Sequence, residues 1–195
     1  AAQVSAQSPA DLVSDLYAVT GDILHKKGEE QEAFAAYDSC LQWKDDNVMA
    51  LNNYAYYLSE KGVDLHKAEA MSYKTIKAEP NNGTYLDTYA WILFMEERYA
   101  DAKTYIDQAL KNRDSTADNS TVLEHAGDIY YMNGMADESV DFWKKAYTGE
   151  NQTEVLAWKI KNRQYITGEE LKKRNAPKQK PAATKKSVRK GKKNK

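Results

Sequence analysis

Leu86–Leu110 reads LDTYAWILFMEERYADAKTYIDQAL. Leu86 is followed after two residues by Tyr89-Ala90, and after two more by Leu93. Beyond a turn come Ala102, three residues, Ile106, and then Ala109-Leu110. This spacing predicts two short antiparallel helices that pack through small residues. Ala90 and Ala102 take the points of closest approach, and Leu86, Leu93, Ile106 and Leu110 form the apolar seam. A helix pair of this size carries an apolar face it cannot bury alone, so it requires copies on either side.

The copies are present. Gly21, Ala55, Ala90 and Gly127 hold one place in four units, at spacings of 34, 35 and 37 residues. The small residue of the second helix is Ala33, Ala68, Ala102 and Ser139, and the next small site is Cys40, Thr75, Ala109 and Ala146. The large residue closing the first seam is Leu24, Leu58, Leu93 and Tyr130, and Pro80 ends the second unit. The pattern resembles the tetratricopeptide repeat, matched as Leu51-x2-Tyr54-Ala55-x2-Leu58 and Leu123-x2-Ala126-Gly127-x2-Tyr130, with Ala33-x3-Tyr37 and Ser139-x3-Trp143 in second helices. The resemblance covers about residues 14–153. Thr20, Ser72 and Ser139 depart from the typical residues, and Arg113–Asn119 lengthens the third connection. It implies an all-α fold, a solenoid of four helix-turn-helix repeats in a right-handed superhelix with a C-terminal capping helix.

Taken in order, residues 1–8 are small and polar and read as a flexible end. Ser8-Pro9 with Asp11 is a helix-start signal. The repeat domain spans 9–166, with repeats at about 14–47, 48–82, 83–119 and 120–153. Thr153 then starts a helix bearing Val155, Leu156, Trp158 and Ile160, read as the cap over the last pair within 154–166. Residues 167–195 read as a basic, disordered tail, although Thr167-Gly168-Glu169-Glu170 carries a signal for one further short turn. From Asn175 onward Val188 is the one large aliphatic residue and there is no aromatic, too little to offset ordering entropy.

The net charge of -1 conceals a division. Residues 171–195 hold 12 of the 28 basic side chains and no acid, leaving 16 basic residues against all 29 acids, a net of -13 for the rest. One cysteine excludes an internal disulfide, and Cys40 stands where its sisters are Thr75, Ala109 and Ala146, a packing position. No apolar run approaches the ~20 residues of a membrane span; the longest, Tyr89–Met95, reads as the buried face of a helix. The sequence begins at Ala1 rather than Met, and the expectation is that a leader or further repeats precede it.

No catalytic, metal or cofactor site is predicted. His25, His66 and His125 lie in different repeats without metal-ligand spacing, and there is no glycine-rich phosphate loop, strained serine motif or cysteine pair. The family resemblance implies instead a concave groove lined by first helices, holding an extended peptide or a partner helix. The groove positions that follow are Asp22, Asn52, Tyr56, Asp87, Trp91, Glu124, Asp128 and Tyr131, with His25, Thr84 and Phe94 beside them. Acids interleaved with aromatic residues suit a protein or peptide with basic and apolar side chains rather than a small-molecule substrate. The blander reading is that these acids keep the surface soluble while Trp91 and Phe94 belong partly to the core. A basic clamp for acidic C-terminal tails is absent, since Ala18, Asp22, Tyr56, Thr84 and Thr88 occupy this face and Asn52 alone fits. The Lys-rich tail offers an alternative function, charge-driven contact with nucleic acid or an anionic surface. It is non-specific for want of stacking residues. The tail could otherwise fold back on the acidic body, or be a solvated end. Finally, LNNYAYYLSEKG, LDTYAWILFMEERY, LEHAGDIYYMNG and WKIKNRQYI resemble the C-terminal repeats of Bacteroidetes-type tetratricopeptide proteins, which implies a bacterial envelope location.

Overall fold

In a computed structural model, residues 9–114 and 117–176 are described. The expected flexible end at 1–8 and the Lys-rich stretch 177–195 lie outside the described residues. Among the described residues there are ten α-helices, one short 3-10 turn and no strand. They are α1 (Pro9–Lys26), α2 (Glu30–Trp43), α3 (Val48–Lys61), α4 (Leu65–Ala78), α5 (Gly83–Met95), α6 (Tyr99–Asn112), α7 (Ser120–Met132), α8 (Ala136–Ala146), α9 (Glu154–Asn162) and α10 (Gly168–Asn175). None of these helices is long and apolar enough to cross a membrane.

The helices pair as α1 with α2, α3 with α4, α5 with α6 and α7 with α8. Each second helix then packs on the following first helix, and first helices also touch one another along the stack. This is the predicted all-α solenoid. Each pair turns within three residues, and each turn contains a left-handed residue, at Gly28, Gly62, Glu97 and Gly134, with Asp64 a second one in the α3–α4 turn. Helix starts follow polar caps: the Asn47 side chain accepts from the Ala50 amide, Asn82 from those of Thr84 and Tyr85, and Thr153 from that of Leu156.

The small positions are matched in size to what faces them. Gly21 lies under the ring of Tyr37, where an added Cβ would meet Cζ at 2.8 Å; Gly127 lies under Trp143, where it would overlap Cδ1 and Nε1 of the indole. In the other two units the residue equivalent to Tyr37 and Trp143 is the smaller Ser72 or Ile106, and the first-helix position is Ala55 or Ala90. All of these alanines, and Tyr37, Ile106 and Trp143, are fully buried. Cys40 is likewise buried, its thiol 3.2 Å from the Ser14 hydroxyl, in the packing position expected of it.

The C-terminal end carries more structure than the sequence suggests. Helix α9 covers α8, with Leu156 fully buried. Residues 167–175, expected to be tail, instead form α10. Thr167 and Glu170 make a reciprocal capping box, and Ile166 and Leu171 are buried. The stretch is so rich in charge that it reads as solvated, yet two apolar anchors and a strong cap suffice to hold a two-turn helix.

Gly127→Ala is expected to destabilise the protein by about 2–3 kcal/mol through overpacking against Trp143, measured by urea denaturation followed through tryptophan fluorescence. The same substitution made in reverse at Ala55, Ala55→Gly, should cost only about 1 kcal/mol.

Candidate functional site

The first helices α3, α5 and α7 line one face of the stack, and the segment from α9 to α10 closes its C-terminal end. Between them is a cleft of about 490 Å³. Tyr56 and Glu60 come from α3, Trp91 and Met95 from α5, and Glu124, His125 and Asp128 from α7; Lys159 and Tyr165–Gly168 form the opposite wall.

A buried charge network forms its floor. His125 Nδ1 lies 3.0 Å and 3.1 Å from the two carboxylate oxygens of Asp87 on the preceding repeat, both residues being less than a tenth exposed. The imidazole also stacks on Trp91, centroids 4.0 Å apart and planes 12° from parallel. Burial works against a charged imidazolium, but the field of Asp87, reinforced by Asp128 and Glu60, outweighs it and holds His125 above its ordinary pKa. Lys159 Nζ donates to both oxygens of Asp128 at 2.8 Å and to Glu124 at 3.0 Å. Asp128 also accepts from Trp143 Nε1 at 2.8 Å. Burial raises the Asp128 pKa, opposed by Lys159 and by the indole bond. Burial, with the carboxylates of Glu60 and Asp87, pushes the Tyr56 phenol up, so it remains a neutral donor.

The structure therefore redistributes the predicted groove. Tyr56, Trp91, Glu124 and Asp128 converge on the cleft. Asp87 and Asp128 do not stand outward as the register implied; both are buried and paired, with His125 and Lys159. Trp91 is no free aromatic anchor, because its ring stacks with His125 and with Phe94 (4.8 Å), leaving its edge toward the cleft. Its Nε1 is buried without a hydrogen-bond partner, as is Asn52 Oδ1 on the neighbouring helix. Tyr131 packs half-buried against Trp143 and Tyr165. Asp22 lies apart from the cleft, where it accepts from the Tyr37 hydroxyl and, at 3.1 Å, from Asn53. Beside it, His25 stacks on Tyr57 and bonds Glu30. Thr84 is exposed and Phe94 is core.

Sequence reasoning missed His125, Lys159 and Glu60. His125 shares its register position with Asn53, which also bonds an acid of the preceding repeat, so that position faces backward along the stack. Lys159 sits on the apolar face of α9, one turn after Leu156 and next to Ile160, an arrangement that already marks a lysine with a buried partner. On another surface, His66, Glu69 and Glu96 bring one ligand atom each within 4.8 Å of one another, but the guanidinium of Arg98 bonds both carboxylates, at 2.6 Å and 3.1 Å.

No family model matches the chain. A TPR repeat-containing protein of Pseudomonas aeruginosa is 35% identical over 66 residues, which are 34% of this chain and 11% of that protein, so the matched stretch spans about a tenth of the relative. Among solved structures, PilF of Pseudomonas aeruginosa superposes with a TM-score of 0.67 at 16% identity, covering 80% of this chain and 69% of that one. A tetratricopeptide repeat protein of Parabacteroides merdae gives 0.61 at 20% identity, covering 80% and 59%. YrrB, described as a TPR protein with an unusual peptide-binding site, gives 0.53 at 18%, covering 75% and 74%. The fold is thus that of tetratricopeptide repeats.

Two outcomes test the network. Lys159→Met should destabilise by about 3–5 kcal/mol, because Asp128 stays buried without its cation, and adding Asp128→Asn should recover part of that loss. Denaturation midpoints of the two single variants and the double variant decide this; simple additivity would show the pair uncoupled. For His125 the folded pKa lies above the unfolded one. Its contribution is therefore complete below about pH 6.5 and is lost as pH rises through the folded value. Urea midpoints at pH 6 and pH 9 should differ in that sense, and His125→Gln should shrink the difference.

Proposed function

We propose that this chain of tetratricopeptide repeats is a non-enzymatic interaction scaffold whose concave groove holds an extended segment or helix of a protein partner with basic and apolar side chains. The observation that carries the reading is the charge balance of the cleft. Four carboxylates, Glu60, Asp87, Glu124 and Asp128, face one ammonium, Lys159, and the imidazole of His125. Asp87 and Asp128 are matched from within, and Glu60 stands exposed at the rim above half-buried Glu124. A lysine or arginine of a partner would complete that balance, while Tyr56, Met95 and the edge of Trp91 offer apolar contact beside it. The peptide-binding description of YrrB, which shares the fold, is consistent with a groove used in this way.

Selection from a random-peptide display library, followed by fluorescence anisotropy, tests the proposal. Enriched peptides should pair basic with apolar residues. Tyr56→Ala together with Glu60→Lys should weaken their binding by at least about tenfold, about 1.4 kcal/mol, and removal of residues 177–195 should leave it unchanged. Enrichment of acidic peptides, or retention of nucleic acid that disappears with the Lys-rich stretch, would shift function from the groove to charge-driven binding by the tail.

A further inference from the structure

Helix α1 exposes a continuous aliphatic stripe. Leu12, Leu16, Val19 and Ile23 are 52%, 60%, 49% and 49% exposed, at intervals of four, three and four residues that place them on one face. The opposite face is already used: Ser14, Ala18 and Gly21 are buried. In a body this acidic, an uninterrupted apolar stripe marks a contact surface.

The repeat register says what kind of contact. Leu16 stands where later units have Ala50, Tyr85 and Val122; Val19 where they have Asn53, Thr88 and His125; Ile23 where they have Tyr57, Ile92 and Ile129. In those units these positions face the unit before. Ala50, Ile92 and Ile129 are fully buried, Asn53 bonds Asp22, and His125 bonds Asp87. The same junction therefore forms three times, α2 on α3, α4 on α5 and α6 on α7, and α1 presents its receiving half once more with none of the described residues covering it.

We propose that the α1 stripe is a repeat-to-repeat junction, covered by a further tetratricopeptide helix pair stacked ahead of Pro9 on the same polypeptide. A second copy of the chain is a poor occupant. The donating half of the junction is the free face of a second helix, and in the last unit that face, on α8, is covered by α9. Two copies could meet only stripe to stripe, first helix on first helix, whereas each of the three junctions also packs a second helix, α2, α4 or α6, on the following first helix. The link required is short, since residues 44–47, 79–82 and 113–119 suffice between the units described.

The test uses the protein's own repeat as the probe. A copy of residues 48–82 is joined directly to Ser14, which holds the register place of Val48, Gly83 and Ser120, in place of residues 1–13, so that the duplicated second helix meets α1 in register. Amide hydrogen exchange is then read in α1. Protection of α1 should rise by at least about tenfold over the unextended chain, and Ile23→Glu should abolish the gain. In the unextended chain Ile23→Glu should leave exchange of α1 unchanged, which separates loss of stacking from loss of folding. Unchanged exchange in the extended protein would overturn the proposal. So would sedimentation of the unextended chain as a dimer that Ile23→Glu dissociates, which would make a second copy the occupant.

Discussion

Two helices joined by a three-residue turn can close on each other only where one of them presents no bulk, and much of this structure follows from how that condition is met in the fourth unit. Gly127 admits the indole of Trp143 to a depth that a Cβ would forbid. At that depth Trp143 Nε1 reaches Asp128 and fixes the carboxylate under the concave face. The fixed carboxylate holds Lys159, and Lys159 ties α9 to α7. The segment after α9 then brings Tyr165 against Phe94 and Tyr131 and forms a wall of the cleft. A missing side chain on one helix thus determines where the cleft ends.

The fold was legible because its determinants are local and periodic. Small residues at intervals of 34 to 37 and apolar seams at helical spacing are visible within any one repeat, and the structure buries Ala90, Ala102, Leu86, Leu93 and Ile106 as that spacing requires. Matching of glycine to aromatic, and of alanine to smaller residues, could also have been read from paired positions. The site was less legible because its chemistry runs across repeats. Asp87 and Asp128 were expected to stand outward in the groove but are buried, because register within one unit cannot show that a histidine from the next unit and a lysine from the capping helix pair with them. The same limit applies to α10. Its composition resembles solvent-exposed chain, and its order comes from contacts by Ile166 and Leu171 with a body built earlier in the sequence.

The buried charges are better understood as positioning devices than as sources of stability. Taking carboxylates, an imidazole and an ammonium out of water costs about as much as their mutual attraction returns. What they gain is orientation: Lys159 Nζ donates to three carboxylate oxygens, and Trp91 is held between the rings of His125 and Phe94. On the proposed reading, a floor fixed in this way presents Glu60, Glu124 and Tyr56 without needing to order them at the moment of binding, which lowers the entropic cost of association.

The two ends of the solenoid differ in kind. At the C-terminal end Leu156, Ile166 and Leu171 close the stack, and the same segment blocks the groove. At the other end the aliphatic face of α1 and the concave surface beside Asp22 both continue to the edge of the described structure. The groove therefore has a wall at one end and open surface at the other. Anything that stacks on α1 also lengthens the concave surface, since both are properties of the same helix. Extension of the stack and extension of the binding surface are for this architecture one event, because each added first helix contributes one face to the junction and another to the groove.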